Sequence, residues 1–205
     1  MGKTLVSAAL LYLFKRSGLQ TLALKPVATG CDDDLISPDA ILLKQYATLP
    51  LSLKAMNPCA FAPPVSPNLL SNTLCVNEII KLCEIPLSCA YDVALIEGIG
   101  GWSVPLNSNE TMADFAVALQ FPVILVVGVR LGCLNHSLLT LAHMRMKQIN
   151  LVGWVANIIQ EEMLYIDENI AALKSYMPAP LLGVIPFTPD ITLKWQQIIC
   201  LTSLH

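Results

Sequence analysis

Five short apolar runs recur along this chain, at 21–28, 92–96, 122–129, 151–158 and 181–185, with segments of helical period between them. The runs are apolar at successive positions rather than alternate ones, which suits strands covered on both faces. The helical patterns fall at 4–15, 39–46, 76–83, 112–119, 135–147 and 163–176. Strand and helix in this alternation predict an α/β fold, a mainly parallel open sheet with helices on both faces. At 205 residues the chain is expected to form a single domain, 1–205, with a sizeable core. The proline-rich stretch 57–70, with Pro58, Pro63, Pro64 and Pro67, reads as a long loop, and long loops in compact domains are often functional.

Composition narrows the function classes. Only 13% of residues are charged, against a usual share of about 25%. A surface this short of charge is expected to be partly covered by a partner subunit. A net charge of −3 offers nothing to a phosphate backbone, so no nucleic-acid partner is expected. The apolar runs are too short for the ~20 residues of a membrane span. The seven cysteines form no CxxC pair. They are expected to be reduced thiols in a cytoplasmic protein, without a zinc site.

In open α/β sheets, ligands gather beyond the carboxyl ends of the strands. The residues there are Lys25-Pro26-Val27-Ala28-Thr29-Gly30, Glu97-Gly98-Ile99-Gly100-Gly101-Trp102, Gly128 through Asn135, Asn157-Ile158, and Pro186-Phe187-Thr188. The chain opens with Gly2-Lys3-Thr4 ahead of a helical pattern. That is the closing half of GxxxxGK[ST], in which backbone amides, the lysine and the hydroxyl bind nucleotide phosphates and Mg²⁺. The opening glycine and its preceding strand do not appear, so the sheet is expected to lack its first strand. The expectation is a start inside the loop, with the natural frame beginning upstream, and poor stability and weak activity in this form.

Together, Gly2-Lys3-Thr4, the stretch Lys25 to Gly30, Glu97 to Trp102, Gly128 to Asn135, Gly153-Trp154-Val155-Ala156-Asn157 and Pro178-Ala179-Pro180-Leu181-Leu182-Gly183 resemble dethiobiotin synthetase, a family of P-loop NTPase-like fold. The resemblance runs in order from Gly2 to about Pro186. It implies a cytoplasmic homodimer that uses ATP and Mg²⁺ to convert 7,8-diaminopelargonate and CO₂ to dethiobiotin in biotin biosynthesis. The implied chemistry passes through a carbamate and a carbamic-phosphoric anhydride. Negative charge therefore collects on phosphoryl and carbamate oxygens, where fixed cations matter most.

The same resemblance implies residue roles. Lys25 and Lys3 are catalytic cations. Gly2, Lys3, Thr4, Asp39, Glu97, Gly98, Ile99, Gly100, Asn157, Ile158, Pro186, Phe187 and Thr188 bind ATP. Thr29, Gly101, Trp102, Gly132, Cys133 and Asn135 meet the substrate, the last three at its carboxylate tail near the dimer interface. Thr4, Asp39 and Glu97 hold Mg²⁺. The chain has Thr29, Ile99 and Asn68 where the family commonly has serine, alanine and histidine. Asp32, Asp33 and Asp34 read as a solvated loop. A second reading is a catalytically impaired fragment or relative that keeps dimerisation and part of the ligand binding. A third is another ATPase of the superfamily, such as a partition-type ATPase or a cobyrinate amide synthase, against which the Lys25–Gly30 and Glu97–Trp102 motifs weigh.

Overall fold

The computed structural model describes residues 1–71 and 73–187. They form two compact units, one of Ser7–Leu119 and the other of Met1–Val6 with the described residues from Gln120 onward. The first helix, α1 (Lys3–Arg16), crosses the division. Among the described residues, every pair of named strands is parallel, and helices stand between consecutive strands in the chain except the first two, which is the α/β class that the apolar runs predict and the P-loop NTPase-like fold that the resemblance implies. Among the described residues, no helix is long and apolar enough to cross a membrane.

In the Ser7–Leu119 unit, β1 (Thr21–Leu24) pairs with β4 (Val93–Ile96), and β2 (Val27–Thr29) pairs with β3 (Cys59–Phe61). The expected single strand at 21–28 is thus two strands with different partners. Pro26 explains the break, because it has no N–H to continue the ladder. The expected loop at 57–70 also needs correction: it contains β3 and a 3-10 turn, Pro67–Leu69. It is preceded by a one-turn helix, α3 (Leu53–Met56).

The helix α2 (Pro38–Tyr46) starts where Ser37 Oγ accepts from Ala40 N–H at 3.4 Å, with Pro38 in the first turn. The helix α4 (Val76–Leu87) buries Val76, Ile79 and Cys83, one stripe at helical spacing. Cys75 gives it no side-chain cap, and the Glu110 carboxylate instead accepts the Val76 N–H at 3.0 Å. These elements and α5 (Met112–Leu119) enclose a core of Leu24, Val27, Ile79, Leu106, Met112 and Phe115.

In the other unit, β5 (Val123–Val129), β6 (Leu151–Ile158) and β7 (Leu181–Ile185) form a parallel sheet in that order. The helices α6 (Cys133–Met146) and α7 (Ile166–Tyr176) supply the crossovers. Trp154, Val129, Ala156 and Leu173 are fully buried. Trp154 lies on β6, flanked on both sides by strands, as a run apolar on both faces requires.

Candidate active site

The register of β1 with β4 sets the chemistry of the Ser7–Leu119 unit. Leu24 stands opposite Ile96, and Glu97 N–H still donates to Leu24 carbonyl at 2.9 Å. Lys25 and Glu97 therefore leave the two strand ends side by side. Both are almost fully buried, at 2% and 3% exposure. A buried ammonium is tolerated only with partners close at hand. Lys25 Nζ has three: Glu97 Oε1 at 2.7 Å, Asp39 Oδ2 at 2.9 Å and Gly98 carbonyl at 3.2 Å. Asp39 reaches the cluster from the first turn of α2, where its carboxylate also suits the helix N-terminus. The Asp39 side chain is 43% exposed.

The glycine loop after Glu97 is compact. Gly100 has φ +59, and a Cβ there would stand 2.6 Å from Val104 Cγ2, so a side chain meets both backbone strain and a neighbour. Ile99 packs against the core beneath. Gly98 carbonyl faces Lys25, while Gly101 carbonyl accepts Val104 N–H at 3.3 Å and Trp102 is half-buried. Thr29 lies further along, at the end of β2, opposite Phe61.

A separate group forms in the other unit. Asn157, 1% exposed, lies on β6 opposite Gly128 and Ile185, so Ile158 and the pair Pro186-Phe187 continue from neighbouring strand ends. Asn157 Nδ2 donates to Met1 carbonyl at 2.8 Å, and Oδ1 is buried with no hydrogen-bond partner among the described residues. Gly2 has φ +80, and any Cβ on it would collide with the Asn157 amide. Glycine is thus required there on two counts. Val6 N–H donates to Gly2 carbonyl at 3.2 Å, opening α1 with Lys3 and Thr4 half-buried in its first turn. Gly132 caps α6, Cys133 is buried and Asn135 is exposed in the same first turn. Thr188 lies outside the described residues.

The structure thus gathers Lys25, Asp39, Glu97 and Gly98 around one nitrogen, and separately Gly2 and Asn157 beside Ile158 and Pro186. It adds a residue that the sequence reading passed over. Asn57 is 6% exposed, and its Nδ2 donates to Lys25 carbonyl at 2.6 Å. In sequence, Asn57-Pro58 is only a turn signal.

Mg²⁺ takes hard oxygen donors, commonly one or two carboxylates with water and phosphate completing the shell. Asp39 and Glu97 meet that description. Among the described residues, no group of three or more His, Cys, Asp and Glu could hold a metal ion. The described cysteines are all free, and burial pushes the Cys59 and Cys83 thiols up to about 11.

A family model described as an AAA domain matches residues 1–194. The chain is 44% identical over 192 residues to the ATP-dependent dethiobiotin synthetase BioD of Cellvibrio japonicus, covering 90% of this chain and 84% of that one. It is 40% identical over 199 residues to the protein of the same name from Pseudomonas aeruginosa strain UCBPP-PA14, covering 94% and 87%. Against that of Nitrosospira multiformis it is 40% identical over 190 residues, covering 91% and 84%. Likeness of this extent, on a fold that brings Lys25, Asp39 and Glu97 together, means that the chain belongs to the dethiobiotin synthetase family.

Proposed function

We propose that this protein carries out the ATP- and Mg²⁺-dependent closure of 7,8-diaminopelargonate with CO₂ to dethiobiotin. The observation that carries the reading is the buried Lys25 ammonium between Glu97 and Asp39. It is a preorganised cation for a reaction whose charge develops on oxygen, and such fixed charges act strongly where water is excluded.

One amine of the substrate adds to CO₂, forming an N–C bond and releasing a proton to give a carbamate. A carbamate oxygen attacks the γ-phosphorus, and the bond from γ-phosphorus to the bridging oxygen breaks, releasing ADP. The second amine attacks the carbonyl carbon of the mixed anhydride, loses its proton and expels phosphate as the cyclic urea closes. In the Ser7–Leu119 unit, Lys25 faces the developing negative charge, the Thr29 hydroxyl donates to a carbamate oxygen, and Gly98 to Trp102 lie against phosphate and substrate. Asp39 and Glu97 would hold Mg²⁺. The metal supplies positive charge that offsets the phosphoryl oxygens. In the other unit, Lys3 serves the β- and γ-phosphates, and Asn157, Ile158, Pro186, Phe187 and Thr188 edge the base. Gly132, Cys133 and Asn135, at the start of α6, receive the substrate carboxylate at a homodimer contact.

The test is direct. Purified protein is incubated with 7,8-diaminopelargonate, bicarbonate and MgATP, and dethiobiotin is followed by mass spectrometry beside ADP release. Dethiobiotin in step with ADP is expected. ADP release without dethiobiotin, or neither product, overturns the reading.

A further inference from the structure

Lys25 sits in the two-residue gap where the chain leaves β4 as a partner and takes up β3. A residue in such a gap has no ladder to hold it, yet Lys25 is 98% buried and its main-chain groups must be satisfied. Both go to one short segment. Lys25 N–H donates to Met56 carbonyl at 2.8 Å, and Lys25 carbonyl accepts from Asn57 Nδ2 at 2.6 Å. On the far side of the gap, Cys59 N–H donates to Pro26 carbonyl at 3.0 Å and β3 begins. The segment is itself well fixed. Asn57 caps α3 with its N–H to Leu53 carbonyl at 2.8 Å, and Ser52 Oγ accepts from Ala55 N–H at 3.2 Å at the other end.

We infer that Asn57 is a positioning residue for the reaction proposed above: it holds the Lys25 main chain so that Nζ meets Glu97, Asp39 and the reacting oxygens. Two further features support this. The group facing a carbonyl must be the amide nitrogen, so the assignment of Asn57 is fixed by its partner. Its other half, Oδ1, is buried without a hydrogen-bond partner among the described residues. An amide with half its capacity unmet is a poor choice for stability alone. The met half is the one on Lys25. An aspartate of the same shape has no donor to offer, and an alanine leaves the Lys25 carbonyl buried and unbonded.

The inference rests on the proposed function for its catalytic meaning, and two readouts separate them. The first needs no activity: labelling of Lys25 by an amine-reactive reagent, followed by peptide mass spectrometry on the whole protein. Asn57→Ala and Asn57→Asp are expected to raise the Lys25 labelling rate about tenfold over wild type, because opening of a local unit controls access to a buried group. The comparison variant is Asn107→Ala, which removes a part-buried amide-to-carbonyl bond in the same unit, Asn107 Nδ2 to Leu74 carbonyl at 2.8 Å. It is expected to leave Lys25 labelling unchanged at an equal or greater loss of Tm.

The second readout is turnover. A displacement of about 1 Å at a reacting group can cost about 100-fold in rate, so kcat for dethiobiotin is expected to fall about 10- to 100-fold in both Asn57 variants, with KM for ATP nearly unchanged. Asn57→Ser, which restores a shorter donor, is expected to recover part of the loss. Unchanged Lys25 labelling in Asn57→Ala, or a kcat loss matched by Asn107→Ala, overturns the inference. A wild-type protein that forms no dethiobiotin overturns the proposed function instead, and the labelling result then stands for Asn57 by itself.

Discussion

Lys25 and Asn157 are both almost fully buried polar side chains, and their surroundings differ in kind. Around Lys25 the protein supplies two carboxylates and a carbonyl. Around Asn157 it supplies one carbonyl, and Oδ1 has no hydrogen bond among the described residues. The difference follows from charge. An ammonium out of water without partners is penalised by several kcal/mol or more, whereas an unmet amide acceptor costs only about 1–3 kcal/mol. A charged catalytic group must therefore be fully neutralised by the fold itself, but a neutral recognition group can keep an acceptor ready for a ligand donor. Under the proposed function, the Lys25 cluster would supply strength of field, and Asn157 selectivity.

The largest effect should come from breaking the charged side. Lys25→Met is expected to lower kcat for dethiobiotin by about 10²–10³ or more, the scale of losing a preorganised transition-state partner. It also leaves Glu97 buried opposite a methyl, which destabilises by about 3–5 kcal/mol in urea denaturation. Adding Glu97→Gln removes the charge that has lost its ammonium partner, so the double variant is expected to regain part of the stability and none of the activity. If the double variant is no more stable than Lys25→Met, the pair is not the electrostatic unit that its 2.7 Å contact implies.

How much of this pair could be read from the sequence is instructive. A glutamate ending the apolar run Val93-Ala94-Leu95-Ile96 is out of place for packing and pointed to function by itself. The role proposed for Lys25 came from the resemblance of the motif around it. The bond between Lys25 and Asp39 was not legible, because the residues between them form no element whose period would bring them together. The strands β6 and β7 and the helix α5 fall on the expected residues, since each is an uninterrupted apolar pattern with turn residues at its ends. The run at 21–28 misled for the same reason: apolar continuity hides a change of partner, and only Pro26 marks it. β3 escaped notice because three residues in a proline-rich stretch carry no period, and their pairing is a tertiary event. Asn57 was beyond reach on the same ground: its partner is a main-chain carbonyl, which no side-chain pattern records.

Breaking the neutral side should give a smaller and differently shaped effect. Under the proposed function, Asn157→Ala removes a group that would offer a donor and an acceptor to a base. It is expected to raise KM for ATP about tenfold, the value of one or two hydrogen bonds, with kcat much less affected. The preference for ATP over GTP should narrow in the same variant, since rejection of a wrong base depends on leaving buried polar groups unpaired. A variant that lost kcat and kept KM and base preference would place Asn157 with Lys25 rather than against it.

The smallest effect tests the premise behind the contrast, that these interiors disfavour charge without partners. Cys59 begins β3, which pairs with the strand just after Lys25, and it packs against the same core as Cys83. Burial pushes both thiols from 9.0 up to about 11, and for Cys83 the neighbouring Cys59 adds to the rise. Between those values the unfolded chain has released the thiol protons and the folded chain retains them. The folded state then binds more protons, so stability falls as pH rises. Below pH 9 both states are protonated and the stabilisation is present in full. Urea denaturation should show a loss of about 1 kcal/mol attributable to the two thiols between pH 9 and 11, allowing for partial screening. Lysines and tyrosines titrate in the same range, so the informative quantity is the difference from Cys59→Ala/Cys83→Ala, whose pH slope should be shallower. Equal slopes would mean that the surroundings of these thiols do not resist charge. The dependence of Lys25 on Glu97 and Asp39 would then need an origin other than a low-dielectric interior.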